Sequence, residues 1–198
     1  KLRIKITGEK DTTVHLVKYN GSKLFYADTA EMKGGVVEFD GSKQIPGLLA
    51  VLLPGQKLVQ FIHNKEIVDI ETTGPDYPAN MKVKKSEENR IFNDYVHYIT
   101  TKKELAQQYS TQMAGLQKTD AKYSDLENKI KVINDEVVAY QKNIVATHPT
   151  KLVGKMVKMT MDIEIPEAPK DVKGNIIDSN FRYHYFRDHR SEEHTSEL

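Results

Sequence analysis

Residues 34–68, GGVVEFDGSKQIPGLLAVLLPGQKLVQFIHNKEIV, hold the densest apolar run of the chain and its most closely spaced turn residues. Three short β-rich segments, Val36–Phe39, Leu48–Leu53 and Lys57–Ile62, are cut apart by Asp40-Gly41, Pro46-Gly47 and Pro54-Gly55. Proline fixes φ and glycine admits positive φ, so each pair supplies what a tight turn needs. The stretch reads as the middle of an antiparallel β-sandwich, with the other segments added at its edges or ends.

Toward the N-terminus the same pattern continues. Leu2, Ile4 and Ile6 alternate with Lys1, Arg3 and Lys5, the period of a half-buried strand. Val14 to Tyr19 and Lys23 to Ala27 follow, joined at Asn20-Gly21, the strongest short-range signal for a two-residue hairpin turn. Lys33-Gly34-Gly35 leads into the central stretch, and Ile67 to Glu71 adds a last strand. About seven strands at about ten-residue spacing predict a sandwich or barrel over 1–72.

Gly74, Pro75 and Pro78 break both periodicities, so 73–85 is expected to be a linker. Ser86 then precedes Glu87, Glu88 and Asn89, an N-cap with acidic residues set against the helix dipole. Phe92, Tyr95, Ile99, Ala106, Tyr109, Met113 and Leu116 fall on helical steps, with Lys102 the one polar intruder. After Gly115 and Lys118-Thr119-Asp120, the steps resume at Tyr123, Leu126, Ile130, Ile133, Val137, Tyr140 and Ile144. A long antiparallel helical hairpin over 86–148 satisfies this pattern; so does one bent helix. Either seam is too thin to fold alone and leans on the sandwich, a second copy or a further C-terminal part. The fold class expected is therefore α+β.

From Pro149 two patterns overlap. Leu152, Met156 and Met159 suit a helix face, whereas Val157, Met159, Met161, Ile163 and Ile165 alternate as a strand would. A short helix to about Lys158 with extended chain after it is expected, then a surface connection through Pro166, Pro169 and Gly174. Residues 149–189 thus make a short helix, an extended connection and the start of a truncated C-terminal segment. Phe181 to His189, FRYHYFRDH, gathers Phe181, Tyr183, Tyr185 and Phe186, which are expected to dock on another surface. Residues 190–198, RSEEHTSEL, read as the translation of a sequencing adapter and are set aside. They carry a net −2, so without them the charge rises from +1 to +3.

Composition narrows the chemistry. No cysteine means no disulfide, thiolate metal site or cysteine nucleophile within these residues. The longest uninterrupted apolar piece, Leu48–Leu53, is far short of the roughly 20 residues a membrane span requires. Lysines are dispersed without a basic cluster, so nucleic acid is not an expected partner. No phosphate-binding glycine loop, His-Glu-x-x-His site or nucleophile elbow occurs.

His15, His63, His97 and His148 fall on different elements, and His184 and His189 are five apart, not the three or four that aim two ligands together on a helix. Asp162 with Glu164 and Glu87 with Glu88 suit solvated strand and helix-start positions better than a cleft. No catalytic, cofactor-binding or metal-binding residue is expected, and no cofactor.

One likeness does emerge. Lys18-Tyr19-Asn20-Gly21, Asp28-Thr29, Phe39-Asp40-Gly41, Pro46-Gly47-Leu48 and Phe61-Ile62, followed by Ser86 to Asn89 and Phe92, resemble the N-terminal β domain of unknown function of Bacteroidetes-type cell-envelope proteins in the TlpA-like thiol-disulfide oxidoreductase group. Ile165 to Pro169 and Phe181 to His189 resemble the start of the companion uncharacterised domain that usually precedes a thioredoxin-like domain. The resemblance implies an exported, periplasm-facing and often lipid-anchored protein whose Cys-x-x-Cys lies in a C-terminal domain. With no cysteine here, no catalytic residue carries over.

The expected role is non-catalytic binding or positioning for that absent thioredoxin-like domain. Envelope proteins, or self-association through the helical hairpin, supply the other partners, and membrane contact comes only through a lost N-terminal lipid anchor. The alternative is an envelope binding or scaffold lipoprotein with no redox activity.

Overall fold

A computed structural model describes residues 1–21, 23–161, 166–178 and 180–185. The fold is mixed α+β, with eight strands in two open sheets and three helices of seven or more residues among these. The strands are β1 (Leu2–Thr7), β2 (Thr13–Asn20), β3 (Lys23–Glu31), β4 (Val36–Phe39), β5 (Gly47–Leu53), β6 (Lys57–His63), β7 (Val68–Thr73) and β8 (Lys82–Lys85). The helices are α1 (Glu87–Met113), α2 (Ala121–Thr147) and α3 (Leu152–Thr160).

The first sheet has the order β4-β1-β7-β8 and the second β3-β2-β5-β6. Leu2, Ile4 and Ile6 of β1 are fully buried, as their alternation requires, and share one apolar cluster with Ile70 of β7. Leu16, Leu49, Val51 and Phe61 of the second sheet complete that cluster, so both sheets line a single core.

Three sequence expectations change. The strands are not all antiparallel: β1 and β7 run parallel in the register Leu2 to Val68 through Thr7 to Thr73, and the Arg3 guanidinium meets Asp69 at 2.8 Å across that pair. A period-two pattern carries no direction, and the chain visits the second sheet between these two strands, which permits parallel pairing. The first hairpin turns one residue late, since Asn20 still pairs with Lys23 and Gly21 takes φ +58°. Finally, Lys82–Lys85, inside the expected linker, forms β8 against β7.

The helical seam positions are half-buried or buried throughout. Tyr95 stacks near Tyr140, Lys102 pairs with Glu136 and the Lys129 ammonium lies over the Tyr109 ring, so contacts step down α2 as they step up α1. At their base Ile91, Phe92, Tyr140 and Ile144 join Val153 and Val157 of α3 against Ile62 of β6. The helix expected to reach about Lys158 runs to Thr160, and residues 162–165 of the extended chain expected after it lie outside the described residues.

Candidate functional site

The most highly built polar site is the junction where β6, the β6–β7 turn and the first turns of α1 and α3 meet. β6 ends the second sheet, with no neighbouring strand among the described residues on one side of its backbone. Asn89, fully buried in the first turn of α1, fills that gap: its amide oxygen accepts from the Ile62 N–H at 2.7 Å and its amide nitrogen donates to the Ile62 carbonyl at 2.7 Å. One side chain thus satisfies two main-chain groups whose burial unpaired would cost about 1–3 kcal/mol each.

Ser86 holds Asn89 in place. Its Oγ accepts from the Asn89 N–H at 3.0 Å and from the Asn89 side chain at 2.7 Å, while donating to Glu66. The Glu66 carboxylate also accepts from the N–H groups of Glu87 and Glu88, so it sits on the positive end of α1. Ser86 itself has φ +118°, a backbone conformation L residues rarely adopt, and these bonds maintain it.

Glu88 works in the other direction. Its carboxylate accepts from the N–H groups of Leu152 at 2.9 Å and Val153 at 2.8 Å, capping α3, and from Asn64 Nδ2 at 2.8 Å. Beside it Lys151 donates to Glu87 at 2.7 Å. That bond holds the Glu87 carboxyl below and the Lys151 ammonium above their ordinary values. Helix α3 also needs Gly154, where a Cβ would fall 2.1 Å from the His148 carbonyl oxygen.

The carboxylates Glu87 and Glu88, read from sequence as solvated helix-start residues, are therefore a surface ion pair and a buried cap respectively. No spacing rule announces the second role. Ser86 was legible as an N-cap, but the bonds from Asn89 and Glu88 reach partners 27 and 64 residues away, and only folding brings them together.

The remaining histidines do not converge. His15 Nδ1 lies 3.0 Å from Thr29 Oγ1 on the second sheet, His97 is exposed on α1, and His148 closes α2. His63 is buried at 2% exposure, and neither ring nitrogen has a hydrogen-bond partner among the described residues. No three His, Cys, Asp or Glu among the described residues are grouped so as to hold a metal ion. No helix of the described residues is long and apolar enough to cross a membrane.

In the C-terminal segment a single helical turn over 181–185 brings Phe181 and Tyr185 to 5.6 Å between ring centroids, each half-buried, and leaves Tyr183 exposed. Phe186 lies outside the described residues, as do Asp162, Glu164 and His189. Arg182 reaches a shallow cleft bordered by Pro166, Glu167, Ala168, Lys170 and Ile176, and His184 Nδ1 meets Asp178 at 2.9 Å. A second shallow groove crosses the outer halves of the two long helices, lined by Leu105, Tyr109, Val132 and Ile133 between Lys102 and Lys129.

Residues 1–92 match the family model of a domain of unknown function (DUF4369). The match takes in all eight strands and ends at Phe92, so the Ser86, Glu88 and Asn89 side chains fall inside it. No curated protein and no solved structure matches the chain.

Proposed function

We propose that this chain is the non-catalytic binding and positioning region of a cell-envelope, thioredoxin-like thiol-disulfide oxidoreductase protein, facing the periplasm. In this reading the two sheets form a β-sandwich, α1 and α2 form an antiparallel hairpin projecting from it, and the aromatic segment around Phe181, Tyr183 and Tyr185 leads into the redox domain. The observation that carries it is the junction. Asn89 and Glu88 bind the first turn of α1 to β6 and to α3 through buried hydrogen bonds, so the helices continue the β unit as one body instead of trailing from it.

A body of this kind sets distance and orientation, which is what an accessory region owes a mobile redox partner. The resemblance to the envelope oxidoreductase group, which covers essentially residues 1–189, supplies the redox half of the proposal, and the match over 1–92 is to a domain of unknown function. The chain itself supplies no catalytic residue and no cofactor in this reading.

The test is to read the uninterrupted gene past His189. A thioredoxin-like domain with Cys-x-x-Cys downstream supports the proposal. A stop codon, or a domain without the cysteine pair, overturns its redox part and leaves an envelope binding or scaffold lipoprotein.

A further inference from the structure

Among the described residues strand β3 ends the second sheet, with β2 on one side and no strand on the other. Its first half presents Leu24, Phe25 and Tyr26 at 41%, 44% and 71% exposure, three consecutive large side chains that put apolar surface on both faces of the edge. Natural edges are normally blunted by charge, proline or a bulge. Here the bulge comes at Ala27, skipped where Leu16 pairs with Asp28 and Val17 with Tyr26, so Lys23 to Tyr26 remains a regular edge with a single charge.

The register shows which main-chain groups are free. Asn20 and Lys23 close the hairpin as a directly opposed pair, and the pair beside a tight turn exchanges both bonds. Alternation then points the N–H and C=O groups of Lys23 and Phe25 toward β2. Those of Leu24 and Tyr26 point outward, where no strand among the described residues receives them.

That arrangement is self-complementary. A two-fold axis perpendicular to the sheet keeps every residue on its own face and opposes positions an even number of residues apart. With the axis at Phe25, Leu24 of each copy opposes Tyr26 of the other as bonded pairs, which uses every outward group of the segment. Phe25 then opposes Phe25 as the close, non-bonded pair, with Cα atoms about 4.5 Å apart. Lys23 falls opposite Ala27 with Asp28 next along, so no like charges meet.

We propose that the Lys23–Tyr26 edge is a self-association surface that joins the second sheets of two copies of this chain into one continuous sheet. The site lies on the β unit, apart from the helical seam and from the junction. Three exposed side chains per copy bury well under the roughly 1,200 Å² of a lasting interface, so the dimer is weak and concentration-dependent.

The absence of cysteine makes the test clean, because one introduced thiol reports one position. Under mild oxidation Phe25→Cys is expected to form a disulfide dimer roughly tenfold or more faster than Lys43→Cys on an exposed turn, since pairing raises the local thiol concentration. Leu24→Cys is expected to stay slow, because two Leu24 residues lie diagonally, beyond the ~7 Å that a disulfide bridges. In sedimentation equilibrium the unmodified chain is expected to rise above 22.6 kDa as its concentration approaches about 1 mM, while Phe25→Asp stays monomeric with an unchanged melt. Equal rates for Phe25→Cys and Lys43→Cys, or a monomeric mass for the unmodified chain throughout, would overturn the proposal. Faster coupling through Leu24→Cys would overturn its register.

Discussion

The carboxamide of Asn89 binds both main-chain groups of Ile62, standing beside β6 as one rung of a further strand would. A sheet edge is thereby closed by a helix at a single buried point. Asn89→Ala strips partners from a buried N–H and a buried C=O, and a loss of about 2–4 kcal/mol in chemical denaturation is expected. Asn89→Asp keeps the acceptor but turns a carboxylate toward the Ile62 carbonyl. It is expected to lose about as much at neutral pH and to recover part of that loss once the carboxyl is protonated.

Glu88 makes a separable claim, because its bonds run to α3 and Asn64 and not to the sheet backbone. Glu88→Ala is expected to speed hydrogen exchange at Leu152 and Val153 while amides of β1 and β5 keep their protection, since local openings need not involve the whole core. Uniform acceleration across both sheets would show instead that α3 and the β unit unfold together.

The parts of this fold that sequence discloses are those set by short-range periodicity. Leu2, Ile4 and Ile6 announce a strand face, and Tyr123 through Ile144 announce a helix face, because alternation and helical steps are local properties. Direction is not local, so the parallel register of Ile4 with Ile70 is invisible until the intervening strands are placed. The turn after β2 falls one residue late because the ladder runs on to the Asn20–Lys23 pair, and long-range pairing, not the dipeptide, places the turn. Asn89 and Glu88 look like ordinary polar residues in a first helical turn; their role depends on burial and on partners far along the chain.

Two glycines separate a packing requirement from mere tolerance. At Gly154 an added methyl would meet the His148 carbonyl oxygen, so Gly154→Ala must push α3 away from the end of α2 and is expected to cost about 1–3 kcal/mol. At Gly115, between the long helices, nothing lies within 4 Å of the added carbon and φ is not positive. Gly115→Ala is expected to stabilise by about 0.4–1 kcal/mol through a less flexible unfolded chain. Thermal melts of the two variants check the contrast in sign.

His63 makes the fold sensitive to mild acid. Its ring lies against Gly41, whose Cβ position would be 3.2 Å from the ring carbon Cε1. Burial pushes its pKa below the ordinary value, opposed by the nearby main chain of Gly41 and Gln44 and by Glu66. The unfolded chain therefore binds this proton more readily than the folded one. Stability is unaffected well above the unfolded value of about 6.5 and falls as pH drops below it, until the folded ring protonates in turn.

The carboxylates act in a different window. Glu9, whose pKa is lowered by the Tyr77 hydroxyl and the Lys57 ammonium, and Asp11, lowered by the Gly35 and Gly34 N–H groups, hold their contribution until pH falls to about 4.5 and below. Between the two windows His63 contributes a loss of stability that the carboxylates Glu9 and Asp11 do not. His63→Gln, with similar bulk and no titration, is expected to flatten the slope of stability against pH there in denaturant titrations while leaving the steeper loss below pH 4.5 unchanged. An unchanged slope in the variant would show that the ring takes up its proton in the folded state without cost.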